Sequence, residues 1–351
     1  MTIPRASGVL TPDLWSGEAA LMDAGAALAA APLNADPLTV AAVTVLGAMV
    51  GSFLNVVIHR RPEREDQKAH GPRSACPACG APIPARLNVP IVTWLWLRGR
   101  ARCCGAPIQP RYLLVEVLTA ALFLLLVVAP PSGRVATFLA FDPEAFVALA
   151  FHAYFCANLV ANTFIDFEFR ILPDRLTYPL MGAGILAALV AVPMTSPLPG
   201  LERLPTATHA LLAALVGLGA GAGLTMAIRG LGRVAFRKEA MGLGDVKLMA
   251  GIGAFVGWEG ALLTFFLGCV FGAVVGVVRQ LFTRDPYLAF GPWLALGAVV
   301  TLFAQDAVLE LLTVTWPAWQ REHASSPFLL GGVSIVALVL LLILLRRGRR
   351  S

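Results

Sequence analysis

The sequence predicts an all-α fold: a polytopic transmembrane helical bundle of about eight or nine spans, carrying a small cytoplasmic loop domain that contains cysteines. Three observations predict it. Of the 351 residues, 58% are hydrophobic and 14% charged, and the mean hydropathy is +0.75, a balance foreign to water-soluble chains of this size. Apolar stretches close to the roughly 20 residues that cross ~30 Å of hydrocarbon recur after Asp36. Lys and Arg gather at the ends of those stretches, so the net charge of +6 reads as membrane topology and not as a nucleic-acid-binding face.

The elements follow in order. Residues 1–36 lack the basic start and compact apolar core of a secretory signal, which predicts an uncleaved, non-cytoplasmic N-terminal segment with a weak Ala-rich helix over 19–31. Residues 37–59 make the first transmembrane helix, its apolar run ending at Ile58. Residues 60–111 form the cysteine loop, and Arg60, Arg61, Arg64, Lys68, Arg73, Arg86, Arg98, Arg100, Arg102 and Arg111 place it in the cytoplasm by the positive-inside rule. A membrane core over 112–304 carries spans near 112–128, 145–165, 176–192, 209–228, 261–278 and 292–303. Residues 246–256 form a further apolar piece, short for a crossing. Letting it cross keeps Arg170, Arg175, the cluster from Arg229 to Lys247, Arg279, Arg284 and the run Arg346 to Arg350 on the same side as the cysteine loop. Residues 305–351 add a C-terminal extension with one more span near 329–345. Glycines crowd 217–223 and 268–276, allowing helices to approach closely.

Two aspartates stand where charge is expensive and so usually functional. Asp166 ends the apolar run 145–165, and Asp245 follows Gly242-Leu243-Gly244 at the start of the short piece. They lie 79 residues apart, yet two intervening spans return the chain to one side, so they can meet. Neighbouring carboxylates cannot both ionise cheaply. They share a proton and can hold a water for attack on a peptide carbonyl while protonating its oxygen. Gly242 and Gly244 would let an extended substrate backbone come close. The plainer alternative is that each aspartate caps a helix or sits solvated at the interface. Asp174, after Pro173 and before an apolar run, is read that way as an N-cap, and Glu168 as a solvated loop charge.

Several motifs now stand together: the run from Gly47 to Pro62 containing Gly51-Ser52-Phe53-Leu54-Asn55, the paired cysteines, Asp166 with Ile171-Leu172-Pro173-Asp174-Arg175-Leu176-Thr177, and Glu239-Ala240-Met241-Gly242-Leu243-Gly244-Asp245-Val246-Lys247-Leu248. In this order, over about residues 37–303, they resemble the type IV prepilin peptidase family. The resemblance implies an inner-membrane aspartic peptidase of the Gly-x-Gly-Asp type whose two active carboxylates fall on Asp166 and Asp245. It implies cleavage of type IV prepilins or pseudopilins at the cytoplasmic face, after the glycine that ends a basic leader. It also implies N-methylation of the exposed amine with S-adenosylmethionine. Ala240 stands where the family usually has glycine.

Four of the six cysteines, Cys76, Cys79, Cys103 and Cys104, fall in one polar segment, which argues for a metal on the reducing side more than for disulfides. Cys76-Pro77-Ala78-Cys79-Gly80 is a C-x-x-C zinc knuckle. The family pattern puts the later pair at 101 and 104, whereas this chain has Ala101, Cys103 and Cys104. Adjacent cysteines are expected to share one tetrahedral metal only with a strained local backbone. The expectation is a structural zinc on Cys76, Cys79, Cys104 and Cys103, against a metal-free loop of reduced thiols. Four thiolates leave no open position for water, so the loop is an accessory element in either case.

Elsewhere, Cys156 and Cys269 read as buried packing residues, His152 as a packed polar group and His59 as interfacial. Ser52 and Asn55 read as hydrogen-bonding between helices, and Glu116 as pairing with a loop arginine. The expected partners are a prepilin or pseudopilin substrate and the lipid bilayer, without nucleic acid. Two other classes compete: a transporter or channel, which needs polar residues at mid-depth in several spans, and a scaffold in which both aspartates are dispensable.

Overall fold

The computed structural model describes residues 36–59, 76, 78–84, 87–131, 142–190, 205–237, 241–282 and 288–323. The expectations for 1–35, for the arginines of 60–75, for Arg86, Glu239, Ala240 and Arg284, and for the span near 329–345 with its basic tail lie outside the described residues. Helices are α1 (Pro37–His59), α2 (Val92–Trp96), α3 (Pro110–Val128), α4 (Pro143–Phe169), α5 (Asp174–Leu189), α6 (Thr206–Phe236), α7 (Leu243–Phe282), α8 (Gly291–Glu310) and α9 (Trp316–His323), with a π-helical turn Leu311–Thr315 before α9. No β-strand occurs among the described residues, only the isolated bridge Arg100–Pro107. The chain divides into a bundle unit, Ala31–Gln305, and a second unit of Met1–Ala30 with Asp306–Ser351. In the second unit Trp316 stacks on Trp319, ring centroids 5.2 Å apart. Among the described residues six helices are long and apolar enough to cross a membrane, and the chain is a multi-pass membrane protein.

Local chemistry sets the helix starts. Asp36 caps α1, its carboxylate accepting from the Thr39 N–H at 2.8 Å, and Asp142 caps α4 through the Glu144 N–H at 3.0 Å. Pro110 and Pro143 open α3 and α4, where a missing N–H costs nothing. Small residues then set the packing. A Cβ on Gly217 would run into the Gly253 carbonyl oxygen, and one on Gly221 into that of Met249, so α6 and α7 touch backbone to backbone. The core lies between α4 and the first part of α7, where Phe155, Leu159, Leu248, Met249, Ile252 and Phe255 are fully buried and the rings of Phe155 and Phe255 are 4.7 Å apart.

Helix α7 does not cross in one direction. Gly257 has φ 75° and ψ −176°, a conformation open to glycine that breaks the helix. Gly244, near the start of α7, packs on Leu172, and so does Gly291 at the start of α8; both starts therefore share one end of the bundle. Thr264 bonds Thr301, while Gly268 and Gly272 meet Leu294, Trp293 and Phe290, so α8 runs antiparallel to the later part of α7. That later part must come back to the end from which α7 set out. Residues 243–256 thus descend through the bundle and 258–282 return, in line with the crossing expected of the short piece.

The same end gathers much of the charge. Arg175 donates to the Val57 carbonyl at 3.1 Å, Arg229 to that of Met241, and Arg111 pairs with Glu168. Several polar groups deeper in the spans form hydrogen bonds inside the bundle, as a low-dielectric setting favours, although Asn162 Oδ1 and Thr177 Oγ1 are buried without a partner. His152 Nδ1 lies 2.7 Å from the Ala148 carbonyl oxygen, Asn162 donates to Asn158 Oδ1 at 2.7 Å, and Asn158 donates to the Leu176 carbonyl at 3.1 Å.

Four residues depart from expectation. Glu168 is helical and ion-paired instead of solvated in a loop. Pro173, not Asp174, holds the N-cap of α5, leaving Asp174 one position inside, where it pairs with Lys247. Glu116 accepts from the Ile91 N–H at 2.7 Å instead of from an arginine. Cys269 is exposed on the outside of α7, whereas Cys156 is buried as anticipated. Asn55 does bond across helices, to the Tyr112 carbonyl at 3.0 Å.

Candidate active site

Asp166 sits in the last turn of α4, only 6% exposed. Arg170 ends that helix in the left-handed region, φ 57°, and returns its N–H to the Asp166 carbonyl at 2.9 Å. The turn sends Leu172 back against Gly244 and Gly291. Gly291 opens α8, and its N–H donates to Asp166 Oδ2 at 3.0 Å. An unpaired amide at a helix N-terminus carries partial positive charge, so it is a natural seat for a carboxylate. The space is tight: a Cβ on Gly291 would lie 2.7 Å from that same oxygen.

Asp245 is the third residue of α7. Its carboxylate accepts from the Gly242 N–H, the reach-back by which an acid at this position closes a helix start. Two carboxylates remote in sequence are thereby presented at one end of the bundle, each on a helix N-terminus, and the charge of Asp166 acts directly on the Asp245 carboxylate. Carboxylates close enough to interact can hold one proton between them, which is the arrangement that supplies an acid and a base together.

Lys247, two residues on, bonds Asp174 at 2.6 Å and lies 4.9 Å from the Tyr178 ring centroid, fastening the start of α7 to the start of α5. Gly244 owes its missing side chain to Leu172, whose Cβ would be 2.8 Å from an added methyl, while Gly242 is exposed beside the Asp245 carboxylate. Sequence reasoning missed Gly291, Leu172 and Lys247. The first had a readable signal: Gly291-Pro292 before an apolar run marks a helix start whose glycine amide is free to donate.

The cysteine loop is built as two matching turns. In the first, Cys76 N–H bonds the Ala81 carbonyl and Gly80 N–H the Cys76 carbonyl; in the second, Ala101 N–H bonds the Ala106 carbonyl and Gly105 N–H the Ala101 carbonyl. Gly80 and Gly105 take φ 71° and 69°. Ala101 therefore occupies the place of Cys76, Cys104 that of Cys79, and Cys103 supplies the thiol that position 101 lacks. All four sulfurs lie within 4.8 Å of one another, with Sγ–Sγ distances of 3.8 Å for Cys76–Cys104, 3.4 Å for Cys79–Cys103 and 3.9 Å for Cys103–Cys104. A tetrahedron with Zn–S bonds of ~2.3 Å has edges of about 3.8 Å, so the set fits that ion. Neither Cys103 nor Cys104 has a positive φ. The Cys79 backbone amide lowers the Cys76 thiol to about 7, while the hydrogen bond with Cys79 pushes the Cys103 thiol up to about 12, so the cluster favours one thiolate among protonated neighbours.

Residues 45–129 match the family model described as the bacterial peptidase A24 N-terminal domain, and residues 153–277 match that of the type IV leader peptidase family. The prepilin leader peptidase/N-methyltransferase of Aeromonas hydrophila is 36% identical over 294 residues, covering 76% of this chain and 91% of that protein. The protein of the same name from Burkholderia pseudomallei strain 1026b is 35% identical over 329 residues, covering 86% and 96%. No solved structure gives a significant match.

Proposed function

The chain belongs to the type IV leader peptidase family, and from that premise we propose that it is an aspartic endopeptidase of the cell inner membrane, with Asp166 and Asp245 as its catalytic pair, acting on type IV prepilins or pseudopilins. The convergence of those two carboxylates at one end of the bundle carries the proposal. Arg111, Arg175, Arg229 and Lys247 lie at the same end, which by the positive-inside rule faces the cytoplasm. In the reaction one carboxylate takes a proton from water as its oxygen attacks the scissile carbonyl. The other gives its proton to the carbonyl oxygen, and the pair then returns a proton to the leaving amine. Gly242 and Gly244 shape the wall along which the substrate backbone lies: Gly242 by its open face, Gly244 by admitting Leu172. The apolar helix of the substrate stays in the bilayer while its basic leader meets the aspartates.

Cleavage exposes a primary amine, the acceptor for the second activity expected of this family, N-methylation from S-adenosylmethionine. Co-expression with a prepilin tests both steps. Mass spectrometry is expected to find the substrate shortened by its leader and carrying one added methyl group. Intact prepilin would refute the peptidase, and a shortened but unmethylated product under saturating methyl donor the transfer alone. A transporter finds less support, because His152 near the middle of its span is engaged by the Ala148 carbonyl and Asn158 and Asn162 bond each other and Leu176, without a polar path through several spans among the described residues.

The four thiolates are proposed to hold a structural Zn²⁺ that closes the two turns on each other; it supplies folding energy to the loop and no chemistry at the aspartates. Replacing Cys103 by Ser is expected to weaken zinc binding by more than the roughly 10- to 100-fold lost when only a ligand's outer hydrogen-bond partner is removed. Metal analysis of the purified protein reads this out. If Cys103→Ser kept its zinc while Cys76→Ser lost it, Cys103 would not be the fourth ligand.

A further inference from the structure

The short helix α2 has no buried residue. Val89, Val92, Leu95 and Trp96 are 46, 61, 56 and 69% exposed, an apolar group too dense for a segment in free water. Trp94 turns inward, against Gly99. The depth of this segment is fixed by one contact. The Ile91 N–H, one residue before α2, donates to Glu116 Oε2 at 2.7 Å, and Glu116 lies six residues beyond Pro110, about 9 Å along α3. Glu116 is itself buried, with its backbone against Gly51 of α1.

Around that level the spanning helices turn Leu114, Val117, Leu118 and Phe53 outward, toward lipid. The exposed face of α2 is thus continuous with the lipid-facing surface instead of standing above it. Ile91 is held at φ 61°, costly for a β-branched residue, so the junction is tightly specified. Directly after α2 the chain turns at Arg98 and Gly99, φ 51° and 67°, and Arg98, Arg100 and Arg102 are exposed.

We propose that α2 and its following turn are a membrane-surface anchor: Val89, Val92, Leu95 and Trp96 sink into the headgroup boundary, and Arg98, Arg100 and Arg102 engage the phosphates of anionic lipids. Aromatic and aliphatic side chains beside arginines match the chemistry of that layer, into which interfacial helices sink by roughly 5–10 Å. The second cysteine turn begins at Ala101, directly after the anchor, which keeps that turn close to the membrane surface.

The test compares the full-length wild type with Trp96→Phe in vesicles of phosphatidylethanolamine and phosphatidylglycerol, the difference in emission being the contribution of Trp96. That contribution is expected to be quenched by lipids brominated near the top of the acyl chain and shielded from aqueous iodide. Replacing Arg98 and Arg100 together by Gln is expected to lower the lipid quenching, and a change to phosphatidylcholine vesicles to do the same. Iodide quenching without lipid quenching would overturn the anchor. So would shielding that arises only when a prepilin is added, or only at high protein-to-lipid ratio, which would assign the face to the substrate or to a second copy.

Discussion

Asp166→Asn and Asp245→Asn are each expected to leave a co-expressed prepilin uncleaved, with activity down by about 10³-fold or more, as befits loss of a shared acid and base. Both substitutions keep size and the capping hydrogen bonds. In Asp166→Asn the amide oxygen would still accept from the Gly291 N–H, so the fold should survive and the loss be chemical. Only the proton traffic is removed. The double variant should be no worse than either single one, because the two groups act as a unit. Asp174→Asn is the matched control: it removes the negative charge from the 2.6 Å contact with Lys247, close to the same site, and should keep at least partial cleavage. Normal processing by either of the first two variants would remove the catalytic assignment.

Gly291→Ala should also cost heavily, without touching an ionisable group. The added methyl would lie 2.7 Å from Asp166 Oδ2 and 3.4 Å from Leu172 Cδ1, so either the carboxylate swings away or the start of α8 retreats. Either movement disturbs the hydrogen bond that orients Asp166. Misplacing a reacting group by about 1 Å can cost 10²-fold, and a fall in kcat of that order is expected with KM little changed. Gly223→Ala, whose new methyl meets nothing within 4 Å, should process substrate like the wild type. Wild-type kcat in Gly291→Ala would mean that the Gly291 amide does not position the carboxylate.

The helices and the placing of Asp166 and Asp245 at one end of the bundle were legible because they rest on long-range regularities: apolar runs of spanning length, basic residues at their ends, and several motifs in order. What the sequence hid depends on single contacts. Hydropathy sees Glu168 as a charge after an apolar run and cannot see Arg111, more than fifty residues earlier, arriving beside it. Asp174 has the composition of a cap, but Pro173 takes the cap position and Lys247 claims the carboxylate. Cys269 looks like core from its neighbours, yet on a membrane helix apolar company also marks the outside. The cysteine spacing looked defective at Ala101 because spacing counts residues along the chain. The metal geometry depends on where sulfurs point, and in the second turn Cys103 reaches the cluster.

The glycine at 257 also bears on how the compartments are assigned. An uninterrupted apolar stretch of 38 residues invites a single tally mark in any count of crossings. Doubling back at Gly257 makes it two, which flips the predicted leaflet of every later residue. A reporter joined after Arg279 should therefore share its compartment with one joined after Arg237, where a straight rod would separate them.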